Sequence, residues 1–387
     1  MAAPVAAPAR IVVAPDSFKG SVTAAQAAAA IARGVRSVLP DVPVVEHPIA
    51  DGGEGTVDAV VRAGLRRVEA TVTGPLGDRV RASYAVGDEG AVVELAAAAG
   101  LGCLPVPGPT RHTSRCATTR GVGELVRHAL DGGVRHVTVA IGGSATTDGG
   151  AGLLAGLGAR VTSADGTDLA PGGAALLDVA SLGLGGLDPR LRETEVVVAC
   201  DVDNPLLGPH GAAAVYAPQK GASPEDVELL ERALRRWAEV VSAATGSDLR
   251  DLPGAGAAGG VGFALAAVLG ADLRPGTPIL LDATGFRQHL GPGVLVVVGE
   301  GSLDEQSLRG KGPVATARIA RDAGARAVAV AGRAAVTPAQ AATAGIEAAW
   351  ALTDLEPDPA RCMAEAPRLL EEAGRRLALW WRSPAPT

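Results

Sequence analysis

The stretch "ARIVVAPDSFKGSVTAAQAAAAIARGV", residues 9–35, decides the class of fold. It starts with a run of Ile and Val, passes through a polar turn, and ends in apolar residues at helical spacing. This order predicts a buried strand followed by a helix, with Ser21 or Thr23 as the helix cap. A strand-turn-helix unit of this kind is typical of layered α/β proteins.

The same unit recurs along the chain, and one segment departs from it. Apolar runs that end in turns of Gly, Asp, Ser or Thr are also found at residues 42–55, 136–152, 196–206 and 294–307. Residues 68–98 instead alternate apolar and polar side chains, with turns at 74–77 and 88–90. That alternation predicts an antiparallel meander of strands.

A chain of 387 residues is too long for one ordinary core, so we predict two α/β domains. One is a Rossmann- or flavodoxin-like parallel sheet, and the other is a mixed sheet that includes the meander. Because β-α units occur at both ends of the chain, we expect the first domain to be discontinuous, over residues 1–65 and about 285–387. The second then covers about 66–284, with the active site in the cleft between the two.

Composition excludes several classes of protein. The chain is 47% hydrophobic and 20% charged, with a net charge of −7 and only 2% aromatic residues. Since its arginines are scattered among acids, we expect no nucleic-acid partner. No apolar run reaches membrane length, and the first residues do not form a signal peptide. Four cysteines without a C-x-x-C pair predict a reduced, cytoplasmic protein.

Ligands of open α/β sheets bind at the carboxyl ends of strands, where the polar turns gather. The turn "IGGSATTDGG" (141–150) offers Gly backbone and hydroxyl groups to an anion, or it is only a tight strand-helix connection. Asp148 inside it would repel phosphate unless it faces a metal or a substrate hydroxyl. In "ADGGEGT" (50–56), Asp51 and Glu54 are candidates for Mg²⁺ or a substrate hydroxyl, and Glu54 is equally suited to the first turn of a helix.

Two searches for nucleotide motifs fail. "GAGAAG" (254–259) matches G-x-G-x-x-G, but a polar segment with Pro253 precedes it instead of a strand. A glycine-rich helix entry explains it better. The P-loop pattern also fails at Gly310-Lys311, because Glu305 stands where the first Gly is needed. We therefore expect no P-loop.

Lysine is rare here, at three of the 35 cationic residues, and each lysine is followed by Gly. A flexible ammonium group beside bare backbone suits a phosphate or a carboxylate. Lys19, Lys220 and Lys311 are therefore candidate anion-binding residues. For Lys220, a role in tying down a loop is an equal alternative.

Seven motifs occur in the order "PDSFKGS", "ADGGEGT", "GGSATTDGGAG", "CDVDNPL", "APQKGAS", "PGAGAAGGVGFAL" and "GEGSLDEQSLRGKGP". Over about residues 10–380 they closely resemble the bacterial glycerate kinase family, type 1. The resemblance implies transfer of the γ-phosphate of ATP to D-glycerate, most commonly at the 2-hydroxyl, with Mg²⁺. It also implies a two-domain α/β fold without a P-loop, and it places all three lysines inside family motifs.

Within those loops, chemistry suggests the roles. Lys19 would meet phosphate or the substrate carboxylate, and Asp201 would orient or deprotonate the hydroxyl, with Asp148 in reserve. The candidate metal ligands are Glu54, Glu300 and Asp304, with Asp51 as a further oxygen donor. The residues predicted to contact substrate or phosphate are Asp16, Ser17, Asp51, Gly52, Gly53, Gly142, Gly143, Ser144, Thr146, Thr147, Lys220, Gly256, Gly259 and Lys311.

Other functions stay open at this point. A glycerate 3-kinase, or a kinase of another small hydroxy acid, would use the same kinds of residue. A non-catalytic protein that binds sugar acids is a weaker alternative, because the acidic loops are intact. We expect a monomer or a homodimer.

Overall fold

The computed structural model describes residues 8–308 and 312–382. The strands within those residues are β1 (Arg10–Pro15), β2 (Val44–Glu46), β3 (Arg66–Thr73), β4 (Arg79–Gly87), β5 (Gly90–Glu94), β6 (His136–Ala140), β7 (Arg160–Ser163), β8 (Val179–Gly183), β9 (Glu195–Ala199), β10 (Asp272–Arg274), β11 (Val294–Leu303), β12 (Arg326–Ala334) and β13 (Ala349–Ala351).

The α-helices are α1 (Ala24–Val38), α2 (Thr56–Arg62), α3 (Ala96–Ala99), α4 (Arg111–Cys116), α5 (Arg120–Asp131), α6 (Ala151–Gly156), α7 (Ala212–Tyr216), α8 (Pro224–Thr245), α9 (Ala257–Leu269), α10 (Gly276–Ala283), α11 (Glu305–Leu308), α12 (Gly312–Asp322), α13 (Pro338–Thr343), α14 (Pro359–Ala364) and α15 (Ala366–Arg382). Short 3-10 helices are formed by Leu101–Cys103, Gly173–Asp178, Pro189–Glu193, Pro218–Lys220, Phe286–His289 and Leu352–Asp354.

The described chain forms two compact units. Unit 1 contains the described residues up to Asp51, then Asp58–Gly64, then those from Thr277 onward. Unit 2 contains Gly52–Val57 and Leu65–Gly276.

Unit 1 is built on a five-stranded parallel sheet with the order β13-β12-β11-β1-β2. In register, Val12 of β1 lies between Val45 of β2 and Val296 of β11. The central strands carry runs of buried Val and Ile because both faces of the sheet are covered. The predicted Rossmann-like parallel sheet is therefore confirmed.

Alternate side chains of β1 enter different cores of unit 1. Ile11 and Val13 pack with residues of α1 and α15, whereas Val12 and Ala14 pack with residues of α12. The helix that follows β1 therefore covers one face of the sheet, and the helix that follows β11 covers the other. Since β1 and β11 are neighbours, the chain leaves this pair of strands in opposite directions. The gap between their carboxyl ends is the topological switch point where such sheets bind ligands.

Helix α1 illustrates how a core with few aromatic residues is packed. Thr23, not Ser21, caps it, through a reciprocal capping box with Gln26. The helix packs closely on α15, because a side chain at Gly34 would put its Cβ 1.9 Å from the carbonyl oxygen of Glu371. Glycine at that position lets the two backbones approach, and the Ala-rich faces fill the remaining space.

Unit 2 is built on a mixed six-stranded sheet with the order β10-β9-β6-β5-β4-β3. Strands β5, β6, β9 and β10 run parallel, while β3, β4 and β5 form antiparallel pairs with Val68 opposite Tyr84. The predicted meander over residues 68–98 is thus confirmed. The core of unit 2 includes the fully buried Trp237, which donates a hydrogen bond from Nε1 to the carbonyl oxygen of Gly149 (2.9 Å).

Across residues 8–308 and 312–382, no helix combines the length and the apolar character that a membrane crossing requires.

Candidate active site

A cavity of about 440 Å³ opens in unit 1 at the switch point of its sheet. It is lined by residues that follow β1 and β2, by the end of β11 and the turn after it, and by the first residues of α12. The lining residues are Asp16, Ser17, Phe18, Lys19, Ser21, Asp51, Glu300, Gly301, Ser302, Asp304, Ser307, Gly312, Pro313, Gly332, Leu352, Cys362, Met363 and Ala366. Several residues predicted from the sequence therefore meet in one cavity, namely Asp16, Ser17, Lys19, Asp51, Glu300 and Asp304.

Lys19 contributes a cation to this pocket. Its side chain is 84% exposed, and its Nζ lies 3.9 Å from a carboxylate oxygen of Asp51. A pair this exposed and this long contributes little to stability. The ammonium group of Lys19 is therefore available to an incoming anion.

Two carboxyl groups of the pocket have perturbed pKa values. Burial raises the pKa of Asp16 to about 7, and the charge of Asp51 adds to the effect. Burial likewise raises the pKa of Glu300 to about 7, although a hydrogen bond from Ser307 opposes the shift. Oε1 of Glu300 is buried and has no hydrogen-bond partner in the described part of the chain. Two desolvated acids side by side make the inner end of the pocket favourable for a cation.

The turn after β11 is held by hydroxyl groups. Ser302 donates from Oγ to Asp304 (3.1 Å) and accepts from Nε of Arg333 (2.9 Å). The backbone N–H of Asp304 donates to Oγ of Ser307 (3.2 Å), which places Asp304 at the start of α11. Asp304 thus shapes the turn, and its predicted role as a metal ligand stays a prediction.

The glycine turns of unit 2 fit together backbone against backbone. The N–H of Gly142 donates to the carbonyl oxygen of Gly52 (2.9 Å), and a Cβ at Gly142 would lie 2.6 Å from Cα of Gly53. Gly142 and Gly143 are partly exposed, but residues 144–150 are buried. Within the described residues, the hydroxyl groups of Thr146 and Thr147 are buried without a hydrogen-bond partner. The portion of this turn that is open to solvent is smaller than the sequence suggested.

Lys220 lies in the interior of unit 2 and is only 2% exposed. Its Nζ donates to Oγ of Ser144 (2.9 Å) and to the carbonyl oxygen of Thr146 (2.5 Å). Burial lowers the pKa of Lys220 to about 7, and the charge of Asp148 partly opposes this. The geometry therefore corresponds to the alternative in which Lys220 ties down a loop, and its contact with a ligand stays a prediction.

Asp148 is completely buried and surrounded by donors. It accepts from the N–H of Thr119 (2.8 Å) and its hydroxyl (2.8 Å), and from the N–H groups of Gly150 (3.1 Å) and Gly152 (3.2 Å). Burial raises the pKa of its carboxyl group, although these hydrogen bonds oppose the shift. The side chain joins the turn before α6 to the start of α5. This geometry gives Asp148 a structural task and does not favour it as the reserve base.

Asp201 follows β9 and is partly exposed. Its Oδ1 accepts a hydrogen bond from the N–H of Gly276 (2.8 Å), the first residue of α10. An Asn side chain would keep this bond through its own Oδ1. The predicted role of Asp201 toward the substrate hydroxyl stays a prediction.

The remaining predicted residues lie in different environments. Gly256 and Gly259 serve close packing, since a Cβ would lie 2.2 Å from the carbonyl oxygen of Pro205 or of Thr146, respectively. Glu54 belongs to unit 2 and is exposed just ahead of α2. Lys311 lies outside the described residues.

Two features of the structure were not predicted from the sequence. Glu94, at the end of β5, is buried and accepts from the N–H groups of Gly55 (3.1 Å) and Val57 (2.8 Å), so it holds the start of α2. Its signal was an acid directly after a run of buried Val. The second feature is the apolar side of the pocket, where Cys362 and Met363 lie some 340 residues from Lys19 in sequence. No pattern of residues close in sequence predicts such a contact.

Over the described residues, no cluster of three or more His, Cys, Asp or Glu side chains is arranged to hold a metal ion. Magnesium does not need such a cluster, because it is usually held by one or two carboxylates together with substrate phosphates and water. Asp16 and Glu300 are the carboxylates of the pocket that fit this pattern.

Comparison with known proteins settles the family. A model described as the glycerate kinase family matches residues 11–382. The chain is 46% identical to glycerate kinase of Bacillus subtilis (strain 168) over 84% of its length and 85% of the relative's. It is 45% identical to glycerate 2-kinase of Escherichia coli (strain K12) over 81% of its length and 82% of the relative's.

A solved structure agrees. The crystal structure from Salmonella typhimurium LT2, assigned as glycerate kinase 2, superimposes with a TM-score of 0.81 at 42% identity and covers 96% of this chain and 98% of that one. The resemblance seen in the seven sequence motifs is thereby confirmed over nearly the whole length. The chain belongs to the glycerate kinase family, a family of enzymes.

Proposed function

We propose that this protein transfers the γ-phosphoryl group of ATP to the 2-hydroxyl of D-glycerate and releases 2-phospho-D-glycerate and ADP. The observation that carries this proposal is the pocket at the switch point of unit 1, which combines an exposed ammonium group with desolvated carboxyl groups in a chain of this family. The choice of the 2-hydroxyl is supported by the Escherichia coli relative, whose name is glycerate 2-kinase.

The pocket supplies groups that phosphates require. Lys19 gives a flexible positive charge, and Ser17 brings a hydroxyl group. The first residues of α12, Gly312 and Pro313, line the same cavity. A helix N-terminus leaves backbone N–H groups unpaired and carries a partial positive charge, both of which favour an anion. The transferring phosphoryl group would thus meet donors from separate elements of unit 1.

Asp16 and Glu300 are the residues that we propose for Mg²⁺. Both carboxyl groups are desolvated, with pKa values raised to about 7, and Oε1 of Glu300 has no hydrogen-bond partner in the described residues. Their mutual repulsion is relieved when a divalent cation binds, so the residues present fit the ion. Bound Mg²⁺ would neutralise charge on the phosphates of ATP.

The reaction needs little covalent chemistry from the protein. The glycerate hydroxyl oxygen forms a bond to the γ-phosphorus, the bond from that phosphorus to the β-γ bridging oxygen breaks, and ADP leaves. Catalysis then rests on positioning and on stabilising charge at the transferred group, the role proposed for Lys19. The proton of the hydroxyl is proposed to pass to Asp201.

Phosphorus NMR of the purified protein with D-glycerate, ATP and Mg²⁺ tests the proposal directly. We expect the signals of 2-phosphoglycerate and ADP to grow together. A 3-phosphoglycerate signal would overturn the choice of hydroxyl and keep the reaction class. A folded protein that binds ATP without phosphorylating glycerate would overturn the substrate, and a panel of other small hydroxy acids in the same tube would then identify the acceptor.

A further inference from the structure

The pocket of unit 1 has two chemically different sides. One side carries the charged groups described above. The other is formed by Leu352, Cys362, Met363 and Ala366, which we call the apolar wall. Leu352, Cys362 and Ala366 are buried at 1%, 6% and 2% exposure, whereas the side chain of Met363 is open to solvent at 47%.

The size of the cavity does not match glycerate alone. A volume of about 440 Å³ lies within the range of pockets that enclose whole organic ligands. Glycerate is a three-carbon acid with polar groups on every carbon, so it has little surface to bury against leucine or methionine. A nucleotide has a charged phosphate chain, which suits the charged side of the pocket, and a flat apolar ring, which suits the apolar wall.

The apolar wall is fixed to the loop that carries Lys19. Ser21 donates a hydrogen bond from Oγ to the carbonyl oxygen of Met363 (2.6 Å). The Cε methyl group of Met363 lies against Gly20, where an added Cβ would be 3.1 Å away. The apolar wall and Lys19 therefore belong to one connected surface. A ligand that contacts Met363 can extend to Lys19.

Methionine suits a planar ring at this position. Its unbranched thioether chain is flexible and polarisable, and it adapts to aromatic surfaces. Because the three other residues of the wall are buried and close-packed, they form a firm base behind a movable side chain. This combination favours stacking or edge contact with a heteroaromatic ring over recognition of a small polar acid.

We propose that the apolar wall is the subsite for the nucleobase of ATP, which makes the pocket of unit 1 the nucleotide pocket. This inference rests on the proposed function and specifies which substrate this site takes. It assigns Met363 as a binding residue for the base, and the affinity for D-glycerate does not depend on this side chain.

Binding measurements with separated parts of the nucleotide test the subsite. Adenosine, which lacks phosphates, and tripolyphosphate, which lacks a base, are titrated by calorimetry into wild type, Met363→Glu and Met363→Ala. We expect Met363→Glu to weaken adenosine binding at least about tenfold, because it places a charged carboxylate against the apolar ring. We expect Met363→Ala to weaken adenosine binding less, since only apolar contact is lost, and to leave tripolyphosphate binding unchanged.

Ala364→Glu is the matched control. Ala364 is the exposed neighbour of Met363 on α14 and does not line the pocket, so the same charge is added one residue away. We expect Ala364→Glu to bind adenosine like wild type. Since Met363 is half exposed, its variants are expected to fold, which circular dichroism checks.

The results separate this inference from the proposed function. Unchanged adenosine binding in Met363→Glu, or failure of adenosine to bind wild type at millimolar concentration, overturns the subsite. A Met363→Ala enzyme with a raised KM for D-glycerate and an unchanged KM for ATP would assign the wall to the acid instead. If wild type fails to phosphorylate glycerate but adenosine binds and Met363→Glu loses it, the proposed acceptor is wrong and the base subsite stands.

Discussion

Two lysines of this chain, Lys19 and Lys220, are both followed by glycine, yet their surroundings differ. Lys19 is 84% exposed beside a pocket, with a distant partner in Asp51. Lys220 is 2% exposed and donates to two oxygens of a single turn. The comparison teaches that a Lys-Gly pair indicates a need for an ammonium group but not whether a ligand or the protein itself receives it.

The carboxylates of the two units differ in the same way. Asp16 and Glu300 are desolvated beside a cavity, and Glu300 keeps an oxygen without a partner in the described residues. Asp148 is buried among backbone and hydroxyl donors that occupy it. An acid that is buried but incompletely satisfied is suited to a cation, whereas one that is fully satisfied is suited to holding two segments together.

The largest effect is expected from Asp201→Asn, which asks whether unit 2 contributes to chemistry as well as to structure. Loss of a general base typically costs about 10²–10⁴ in turnover. The Asn side chain keeps the hydrogen bond from Gly276, so the unfolding midpoint should stay near that of wild type. Steady-state kinetics and thermal unfolding measure the two quantities. Near-normal turnover in the folded variant would show that the hydroxyl proton goes elsewhere.

The next effect is expected from Lys19→Met. Removal of one charge-stabilising donor typically lowers turnover by about 10²–10³. Because the side chain is exposed and its pair with Asp51 is long, the free energy of unfolding should change little. Turnover within a few-fold of wild type would remove Lys19 from the proposed mechanism.

Lys220→Met makes the same chemical change at the buried lysine and should affect stability. The hydroxyl of Ser144 and the carbonyl oxygen of Thr146 lose their donor, which typically costs about 1–3 kcal/mol. Urea unfolding compared with Lys19→Met measures the difference. Equal stability of the two methionine variants would erase the distinction between the two lysines.

The last prediction concerns the dependence of stability on pH. The pKa of Lys220 is about 7 in the folded chain and near its ordinary 10.5 when unfolded, so the unfolded state binds more protons between these values. The stability of wild type relative to Lys220→Met should therefore rise with pH above about 7, by up to about 1.4 kcal/mol per pH unit. Urea unfolding of both proteins at pH 7, 8 and 9 measures this slope. A difference that stays constant would mean that Lys220 is charged in the folded protein.

Much of the fold followed from local pattern. The Val-rich runs at 10–15 and 294–303 became the central strands β1 and β11, and the alternation over 68–98 became the antiparallel part of the unit 2 sheet. These features depend on residues close in sequence, whose spacing reports directly which faces are buried. The seven motifs located the loops through the family resemblance that they carry.

The environment of each side chain was not predictable in this way. That Lys220 is buried depends on packing around Ser144, more than seventy residues away in sequence. The raised pKa values of Asp16 and Glu300 depend on burial at a place where two strands that are distant in sequence meet. The apolar wall depends on α14, a short helix with an exposed methionine that was not predicted from the sequence. Tertiary contact, not composition, decides these properties.

The scarcity of lysine has a consequence for handling this protein. Of the two lysines in the described residues, Lys220 is buried in unit 2 and Lys19 is exposed and lines the pocket. Of these two, Lys19 is the one that amine-acylating reagents, and resins or surfaces that couple through amines, would therefore modify, beside the proposed substrate pocket. Immobilisation through cysteine or a terminal tag would avoid this, and protection of Lys19 by ATP during labelling would report occupancy of the pocket.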